Sequence, residues 1–247
     1  MSPSLFYFFV VILSIFYPRR LFLFLSIRYC MDWQISEPYT PYSFLEQMPP
    51  HPAFEFREEL TLEERMAVAG YQDMGFIQHK WEIVPPDLEH PNCSVINSFL
   101  RFDDFRETLS DADYDTCTEL IALIDSAIEK SVIKEDLTVI RGLSDPEWFE
   151  PFRVDSTFSD DAFGSFSLSP ESACGYAGLN SNGQKVLVMY DIPAGSRALY
   201  MGQKEEEMLL PRGMSYYVDE IDDVEPGLLD TRYQAKVYIL KGGYVIQ

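Results

Sequence analysis

The hydrophobic pattern of the chain changes near Ile133, and this change limits the class of fold that the chain can adopt. Before Ile133, apolar residues recur at helical spacing, most clearly over residues 120–128, in a helix that Ser110 can cap and Lys130 ends. After it, short β-branched or aromatic runs bounded by Gly, Pro or Asp predict strands at residues 137–140, 185–190, 208–210, 215–218 and 235–240. Helices followed by strands predict an α+β domain and not a parallel α/β one.

The region before the strands carries two more helix signals. Thr61 and Glu64 form a capping box, which predicts a helix over residues 62–69. A second, short helix is predicted at residues 95–101. The stretch 75–94 contains several prolines and is predicted to be a loop or an insertion.

Two segments precede this region. Residues 31–55 are rich in proline and aromatic residues, which predicts an extended arm lying on a domain that spans residues 56–247. Residues 1–30 are a hydrophobic segment without any acidic residue. These features divide the chain into a hydrophobic segment, an arm and a folded domain.

Residues 1–30 allow two interpretations. Arg19 and Arg20 would lie at the centre of a membrane-spanning helix, where charge is costly, and the order of charged and apolar residues is wrong for a cleaved signal. Either translation starts at Met31, which favours a cytoplasmic protein, or the segment serves export or anchoring, which favours a secreted or delivered one. Contact with a membrane is expected only if this segment is retained.

The composition of the chain limits the size of its core, the charge of its binding partners and the presence of a metal site. The chain has 247 residues, of which 47% are hydrophobic, so it can bury one good core. Its net charge of −21 argues against a nucleic-acid partner and favours a cationic one, although an acidic surface also simply promotes solubility. The four Cys and three His residues fall at no zinc-ligand spacing, so no metal site is expected.

Three polar motifs follow one another along the strand-rich part. Arg141 ends the first predicted strand, Ser165 and Ser167 form a hydroxyl pair, and Glu205 and Glu207 lie directly before an apolar run. In this order and spacing the chain resembles the mono-ADP-ribosyltransferases of the Arg, Ser-Thr-Ser, Glu-x-Glu class, a family that includes clostridial actin-modifying toxins. Each motif alone is weak, but the ordered set of three is specific.

The resemblance covers about residues 55–245 and implies both a fold and a reaction. It implies N-terminal helices packed on a core of two mostly antiparallel β-sheets. It also implies that NAD is the co-substrate, and that ADP-ribose passes to an arginine side chain of a target protein while nicotinamide is released. An NAD glycohydrolase and a catalytically silent relative that only binds a partner remain as alternatives.

The resemblance also implies how NAD is held. Arg141 would bind the phosphates, and the backbone of Gly142 would reach the nicotinamide amide. Ser165 would position the ribose together with the catalytic glutamate. Tyr176 stands where the family places an aromatic ring that stacks on nicotinamide.

The carboxylates would supply the chemistry. Glu207 matches the catalytic glutamate and Glu205 the first glutamate of the pair. Cleavage of a nicotinamide from an anomeric carbon creates an oxocarbenium-like cation, which a nearby carboxylate stabilises. In an extended strand, Glu205 and Glu207 would project from one face about 6–7 Å apart at the backbone, with Glu206 facing away. The second carboxylate could then hold a guanidinium group.

Two departures from the family pattern and one other acidic run complete the interpretation. The segment between residues 71 and 96 is longer than the family usually has there. Phe166 occupies the middle position of the Ser-Thr-Ser element, which is expected to remove one hydroxyl that could order the site. Residues 219–225 are rich in Asp and Glu and are predicted to form a solvated loop.

Overall fold

The computed structural model describes residues 51–72, 91–202, 205–227 and 233–245, and the fold is given for these residues. The described α-helices are α1 (Leu62–Gln72), α2 (Cys93–Arg101), α3 (Asp103–Arg106), α4 (Asp111–Glu129) and α5 (Pro170–Tyr176), and a short 3₁₀ helix lies at Pro146–Trp148. The described strands are β1 (Phe54–Phe56), β2 (Ser131–Ile133), β3 (Leu137–Gly142), β4 (Thr157–Asp160), β5 (Gly164–Ser167), β6 (Lys185–Ile192), β7 (Leu199–Gly202), β8 (Glu207–Leu210), β9 (Met214–Val224) and β10 (Ala235–Val245).

Eight of these strands form one hydrogen-bonded sheet in the order β4-β9-β10-β6-β3-β5-β8-β7. Every neighbouring pair is antiparallel except β6 and β10, which are parallel. The five-stranded part ending at β3 meets the three-stranded part beginning at β5 through the single pair Ile140 and Ser167. This arrangement confirms the predicted α+β fold with its mostly antiparallel core in two parts.

The capping box at the start of α1 forms as predicted. The Glu64 side chain accepts a hydrogen bond from the Thr61 amide at 2.8 Å, and the Thr61 hydroxyl accepts one from the Glu64 amide at 3.2 Å. The sequence predicts that α1 ends at Ala69, but the helix continues to Gln72. A glycine inside a helix costs only about 1 kcal/mol, and burial of Tyr71, which is 1% exposed, offsets that cost.

The other predicted helices and strands are present with longer bounds. The helix predicted at residues 95–101 begins earlier, at Cys93, because Asn92 caps it and accepts hydrogen bonds from two backbone amides. Ser110 caps α4 through the Asp113 amide, as predicted.

Strand β8 lies between two hydrophobic clusters. Leu209 belongs to the cluster that includes the helices, whereas Met208 and Leu210 belong to the cluster on the opposite side of the sheet. All three side chains are at most 1% exposed. Burial on both faces explains why this strand is continuously apolar instead of alternating.

The acidic run at residues 219–225 is a strand for most of its length, and the prediction of a loop there was wrong. Residues 219–224 form the second half of β9 and pair with β10, while Ile221 packs against the sheet core. The backbone can pair with β10 because the acidic side chains on this stretch stay partly or fully exposed to water.

Several predicted segments fall outside the described residues. These are residues 1–30, most of the arm at 31–55 and most of the loop at 75–94. Within the described residues the arm ends in β1, which pairs with β2, and residues 93–94 belong to α2. No helix in the described ranges is long and apolar enough to cross a membrane.

Candidate active site

The register of β5 against β8 brings the predicted hydroxyls to the predicted catalytic carboxylate. Ser167 pairs with Glu207 and Ser165 with Leu209, so Ser165, Ser167 and Glu207 share one face, called the site face below. The Ser165 hydroxyl donates a hydrogen bond to Oε1 of Glu207. Two of the three sequence motifs are therefore in direct contact.

Phe166 lies on the opposite face of β5. It is 4% exposed and packs in the cluster with Met208 and Tyr190, with ring centroids of Phe166 and Tyr190 6.3 Å apart. The expectation that Phe166 removes a hydroxyl from the site was wrong, because alternate residues of a strand point to opposite faces. A threonine at this position would face the core and not the site.

Gln72 is a site residue that sequence reasoning missed. It is the last residue of α1, and its amide nitrogen donates to Oε2 of Glu207 at 2.9 Å and to the Met201 carbonyl at 3.4 Å. Both carboxylate oxygens of Glu207 thus accept a hydrogen bond from a side chain. No local signal identifies Gln72, since it lies far from Glu207 in the sequence and only the packing of α1 brings them together.

The environment of Glu207 opposes its ionisation. Burial raises the pKa of Glu207 above its ordinary value, and the negative charge of Glu205 acts in the same direction. The hydrogen bonds from Ser165 and Gln72 and the charge of Arg141 oppose this rise but do not cancel it. Glu207 is nevertheless partly exposed, so it lies deep in the protein and can still be reached from solvent.

Glu205 and Glu206 form a turn, and the predicted extended conformation through Glu205 and Glu207 was wrong. Strand β8 begins only at Glu207, and Glu206 has a φ of 46°, in the left-handed region that few residues other than glycine adopt. Glu206 is exposed, as expected, but because of the turn and not because of strand alternation.

The Glu205–Glu206 turn is tied to the site face by its backbone. The Ser167 hydroxyl donates to the Glu205 carbonyl at 2.5 Å, and the Leu168 amide donates to the Glu206 carbonyl at 3.0 Å. The second serine of the motif therefore holds the turn, while the first holds Glu207.

Tyr176 contacts the side chain of Glu205. Its hydroxyl donates to Oε1 of Glu205 at 2.6 Å. Tyr176 is the last residue of α5, and this helix packs directly on Gly142. A Cβ atom on Gly142 would lie 2.0 Å from the Ala173 carbonyl oxygen and 2.6 Å from the Ala177 amide nitrogen. Glycine is required at this position because α5 comes so close to β3.

Arg141 lies beside a buried carboxylate that a second arginine already binds. Arg101, the last residue of α2, makes two hydrogen bonds to Asp160 at 2.7 and 2.8 Å, whereas Arg141 Nη1 is 3.8 Å from Asp160 Oδ2. Burial alone would raise the pKa of Asp160, but Arg101 and Arg141 together lower it below its ordinary value. In this cluster two guanidinium groups lie beside one carboxylate, that of Asp160.

Two buried amide oxygens lie near these groups without a partner. The side-chain oxygens of Gln72 and Asn97 make no hydrogen bond within the described part of the chain. Asn97 donates its amide to the Tyr71 hydroxyl at 3.0 Å, and the charges of Glu207 and Arg141 both affect the pKa of Tyr71. An unpaired buried acceptor is costly, and neither oxygen is accessible from solvent in this arrangement.

No group of three or more His, Cys, Asp or Glu side chains within the described residues is arranged to hold a metal ion. What the arrangement offers is a pair of carboxylates beside a cluster of two arginines and one aspartate. This set can bind a polar, anionic molecule and stabilise a cation beside it.

Solved structures with a similar fold are bacterial toxins. BECa, an ADP-ribosylating toxin of a binary enterotoxin of C. perfringens, solved with NADH, aligns at a TM-score of 0.52 with 19% identity over 74% of this chain. The enzymatic component C2-I of the C2-toxin from Clostridium botulinum aligns at 0.54 with 16% identity over 76%. The matched regions span 43% and 44% of those two proteins, and at these identities they support the fold alone.

A further structure, the ADP-ribosyltransferase toxin Plx2a from Paenibacillus larvae, is 24% identical over 61% of this chain and 79% of its own, with a TM-score of 0.45. Comparison with curated proteins gave no match.

The sequence itself matches a family model. The model of the ADP-ribosyltransferase exoenzymes, which transfer ADP-ribose from NAD, matches residues 89–240. This range covers more than half of the chain and contains Arg141, Ser165, Glu205 and Glu207. The chain therefore belongs to the ADP-ribosyltransferase exoenzyme family.

Proposed function

We propose that the chain transfers ADP-ribose from NAD to arginine side chains of a target protein and releases nicotinamide. The observation that carries this proposal is that two neighbouring carboxylates, those of Glu205 and Glu207, are held by hydrogen bonds from different side chains. Glu207 is held by Ser165 and Gln72 on the site face, and Glu205 is held by Tyr176 beside it. One carboxylate is suited to the cation that forms in the reaction, and the other to a cationic acceptor.

Glu207 is proposed as the catalytic residue. When the bond between nicotinamide and ribose breaks, the electron pair leaves with the nicotinamide nitrogen and positive charge develops at the anomeric carbon. A carboxylate fixed beside that carbon stabilises this charge, more strongly in a buried site than in water. The hydrogen bonds from Ser165 and Gln72 orient the carboxylate of Glu207 and favour its ionised form.

Arg141 is proposed to bind the NAD phosphates. In a chain with a net charge of −21, the cluster of Arg101, Asp160 and Arg141 provides a local positive charge next to Glu207. Arg101 satisfies both oxygens of Asp160, so the guanidinium group of Arg141 keeps donors for a phosphate. Ser165 and Gly142 are proposed to contact the ribose and the nicotinamide amide, and Tyr176 to stack on the nicotinamide ring.

Glu205 is proposed to select the acceptor. A carboxylate can accept two hydrogen bonds from a guanidinium group, and the same carboxylate can take the proton that the attacking nitrogen must lose. This demand is severe because arginine is essentially always protonated in water. The adjacent negative charge of Glu207 adds to the attraction for a cationic side chain.

The place where the protein acts is proposed from its family membership. Its members are described as exoenzymes, and we infer that this chain acts outside the cell that makes it. Determination of the N-terminal residue of the mature protein by mass spectrometry tests this. A mature chain that begins after residue 30 in the culture medium supports export, and an intact intracellular chain contradicts it.

The proposed reaction is tested with the full chain, labelled NAD and agmatine, a small guanidinium acceptor. We expect Glu207→Gln to reduce nicotinamide release and adduct formation together, by about a thousandfold. Glu205→Gln is expected to lose adduct formation and retain part of the NAD hydrolysis. Glu206→Gln is the matched control, because it removes an adjacent carboxylate that is exposed, and it is expected to behave as the wild type.

Three results would contradict this proposal in distinguishable ways. Nicotinamide release without an agmatine adduct would indicate an NAD glycohydrolase or an acceptor other than arginine. Neither product from folded wild type would indicate a silent relative. Equal losses in the Glu205 and Glu207 variants would contradict the separate roles proposed for these two residues.

A further inference from the structure

The aromatic residue at the end of α5 is a tyrosine, and its hydroxyl has a specific partner. A phenylalanine would supply the same ring for stacking, so the ring alone does not account for the hydroxyl. That hydroxyl donates to Oε1 of Glu205 at 2.6 Å. Hydrogen bonds to a charged group are short and roughly twice as strong as neutral ones. This contact therefore restricts the direction in which the Glu205 side chain points.

The position of Tyr176 is fixed from the other side by Gly142. The backbone of α5 rests on this glycine so closely that a Cβ atom there would overlap the Ala173 carbonyl and approach the carbonyl carbon of Tyr176 to 3.0 Å. Gly142 directly follows Arg141 in β3. Strand β3 thus carries Arg141, which is proposed to bind phosphate, and through Gly142 also fixes the position of Tyr176.

The turn itself does not fix the Glu205 side chain. Its backbone is held by the Ser167 hydroxyl and the Leu168 amide, but both bonds end on carbonyl oxygens. The next residue, Glu206, adopts a left-handed conformation that costs a residue with a side chain about 1–2 kcal/mol. A side chain on such a turn needs a partner of its own to be held in one orientation.

From these contacts we propose that Tyr176 is a positioning residue for the acceptor, which acts through its hydroxyl on Glu205. The ring and the hydroxyl then have different tasks, one toward the nicotinamide side and one toward the incoming arginine. Loss of the hydroxyl leaves Glu205 able to rotate away from the acceptor. This inference rests on the arginine-transferase function proposed above.

The test is Tyr176→Phe, which keeps the ring and removes only the hydroxyl. With agmatine as acceptor, the KM for agmatine is expected to rise about tenfold, a larger change than in the KM for NAD. Tyr217→Phe is the matched control, since the Tyr217 hydroxyl also donates to a carboxylate, that of the exposed Asp155. Tyr217 lies on β9, which four strands separate from β8 in the sheet. It is expected to leave both KM values unchanged.

A double variant separates positioning from a general structural effect. Because Glu205→Gln is expected to lose adduct formation, this comparison uses the dissociation constant of agmatine, measured by calorimetry. If the hydroxyl acts through Glu205, then Tyr176→Phe has little further effect on that constant once Glu205 is changed to Gln. Equal increases in the two KM values of Tyr176→Phe, or additive effects in the double variant, would overturn the inference.

A measurement without turnover keeps this test independent of the proposed function. The NMR order parameter of the Glu205 side chain is expected to be lower in Tyr176→Phe than in the wild type or Tyr217→Phe. An unchanged order parameter would overturn the inference even if the wild type modified no arginine. A wild type that makes no agmatine adduct, with a lower order parameter in Tyr176→Phe, would overturn the proposed function alone.

Discussion

The two carboxylates of the site are held by different kinds of structure. Glu207 is the first residue of a strand whose next three side chains are buried on both faces, and two side chains bind its oxygens. Glu205 lies in a turn before that strand, next to an exposed residue in a left-handed conformation. The hydrophobic core fixes the position of Glu207, whereas a few polar contacts fix the position of Glu205. The part proposed to break the NAD bond is therefore held by the core, whereas the part proposed to select the acceptor is held by a few polar contacts.

Among the variants that test this comparison, the largest effect is expected from Gly142→Ala, because it displaces the helix whose last residue holds Glu205. The added Cβ atom would lie 2.0 Å from a backbone oxygen of α5, so the helix must shift. Overpacking of this kind costs about 3 kcal/mol of unfolding free energy, and the shift should also separate Tyr176 from Glu205. Thermal unfolding and agmatine transfer measure the two effects. A protein of unchanged stability would show that α5 does not rest on Gly142 as described.

An intermediate effect is expected in the pH dependence of nicotinamide release, which distinguishes the role of Ser165 from that of Ser167. Because the pKa of Glu207 is raised, its ionised form is lost as pH falls while an ordinary glutamate would still be ionised. The acid limb of nicotinamide release should therefore lie above pH 4.5, the ordinary glutamate value. Ser165→Ala removes a hydrogen bond that lowers this pKa, so it should move the limb to higher pH and slow the reaction about tenfold at neutral pH.

Ser167→Ala is the control for this pH profile, since its hydroxyl binds the Glu205 carbonyl and not Glu207. It is expected to leave the acid limb in place. An equal displacement of the acid limb in both serine variants would show that Ser167 also affects the pKa of Glu207.

The smallest effect is expected from Glu206→Gly. Glycine adopts the left-handed conformation without steric cost, so the variant should gain up to about 1 kcal/mol of stability, reduced by the greater freedom of glycine in the unfolded chain. Nicotinamide release should not change, because Glu207 is held by the strand. Chemical denaturation and NAD hydrolysis provide the two measurements. Slower NAD hydrolysis would mean that the turn and Glu207 are coupled.

Sequence patterns were sufficient for the fold class and for β3 and β8, but not for β5, the strand that carries Ser165 and Ser167. The helical stripe, the capping box at Thr61 and the β-branched runs are local signals, and each corresponds to an observed helix or strand. The contact between Ser165 and Glu207 follows from the motif order once β5 and β8 pair. The roles of these residues remain predictions.

The remaining features depend on contacts that no local pattern contains. Gln72 reaches Glu207, and Arg101 reaches Asp160, only through tertiary packing. The turn at Glu206 uses a left-handed conformation that glycine or asparagine usually signals, so a run of three glutamates was interpreted as extended. In β9 the acidic side chains suggested a loop because pairing with β10 is not visible in the residues themselves.

The burial of β8 between two clusters has a consequence for the energetics of catalysis. Met208, Leu209 and Leu210 anchor the backbone next to Glu207 on both faces of the sheet. The entropy of orienting this carboxylate is therefore lost when the protein folds and not when NAD binds. In the proposed reaction, binding energy from NAD then remains available for the transition state, and the hydrophobic core would contribute to the rate without touching the substrate.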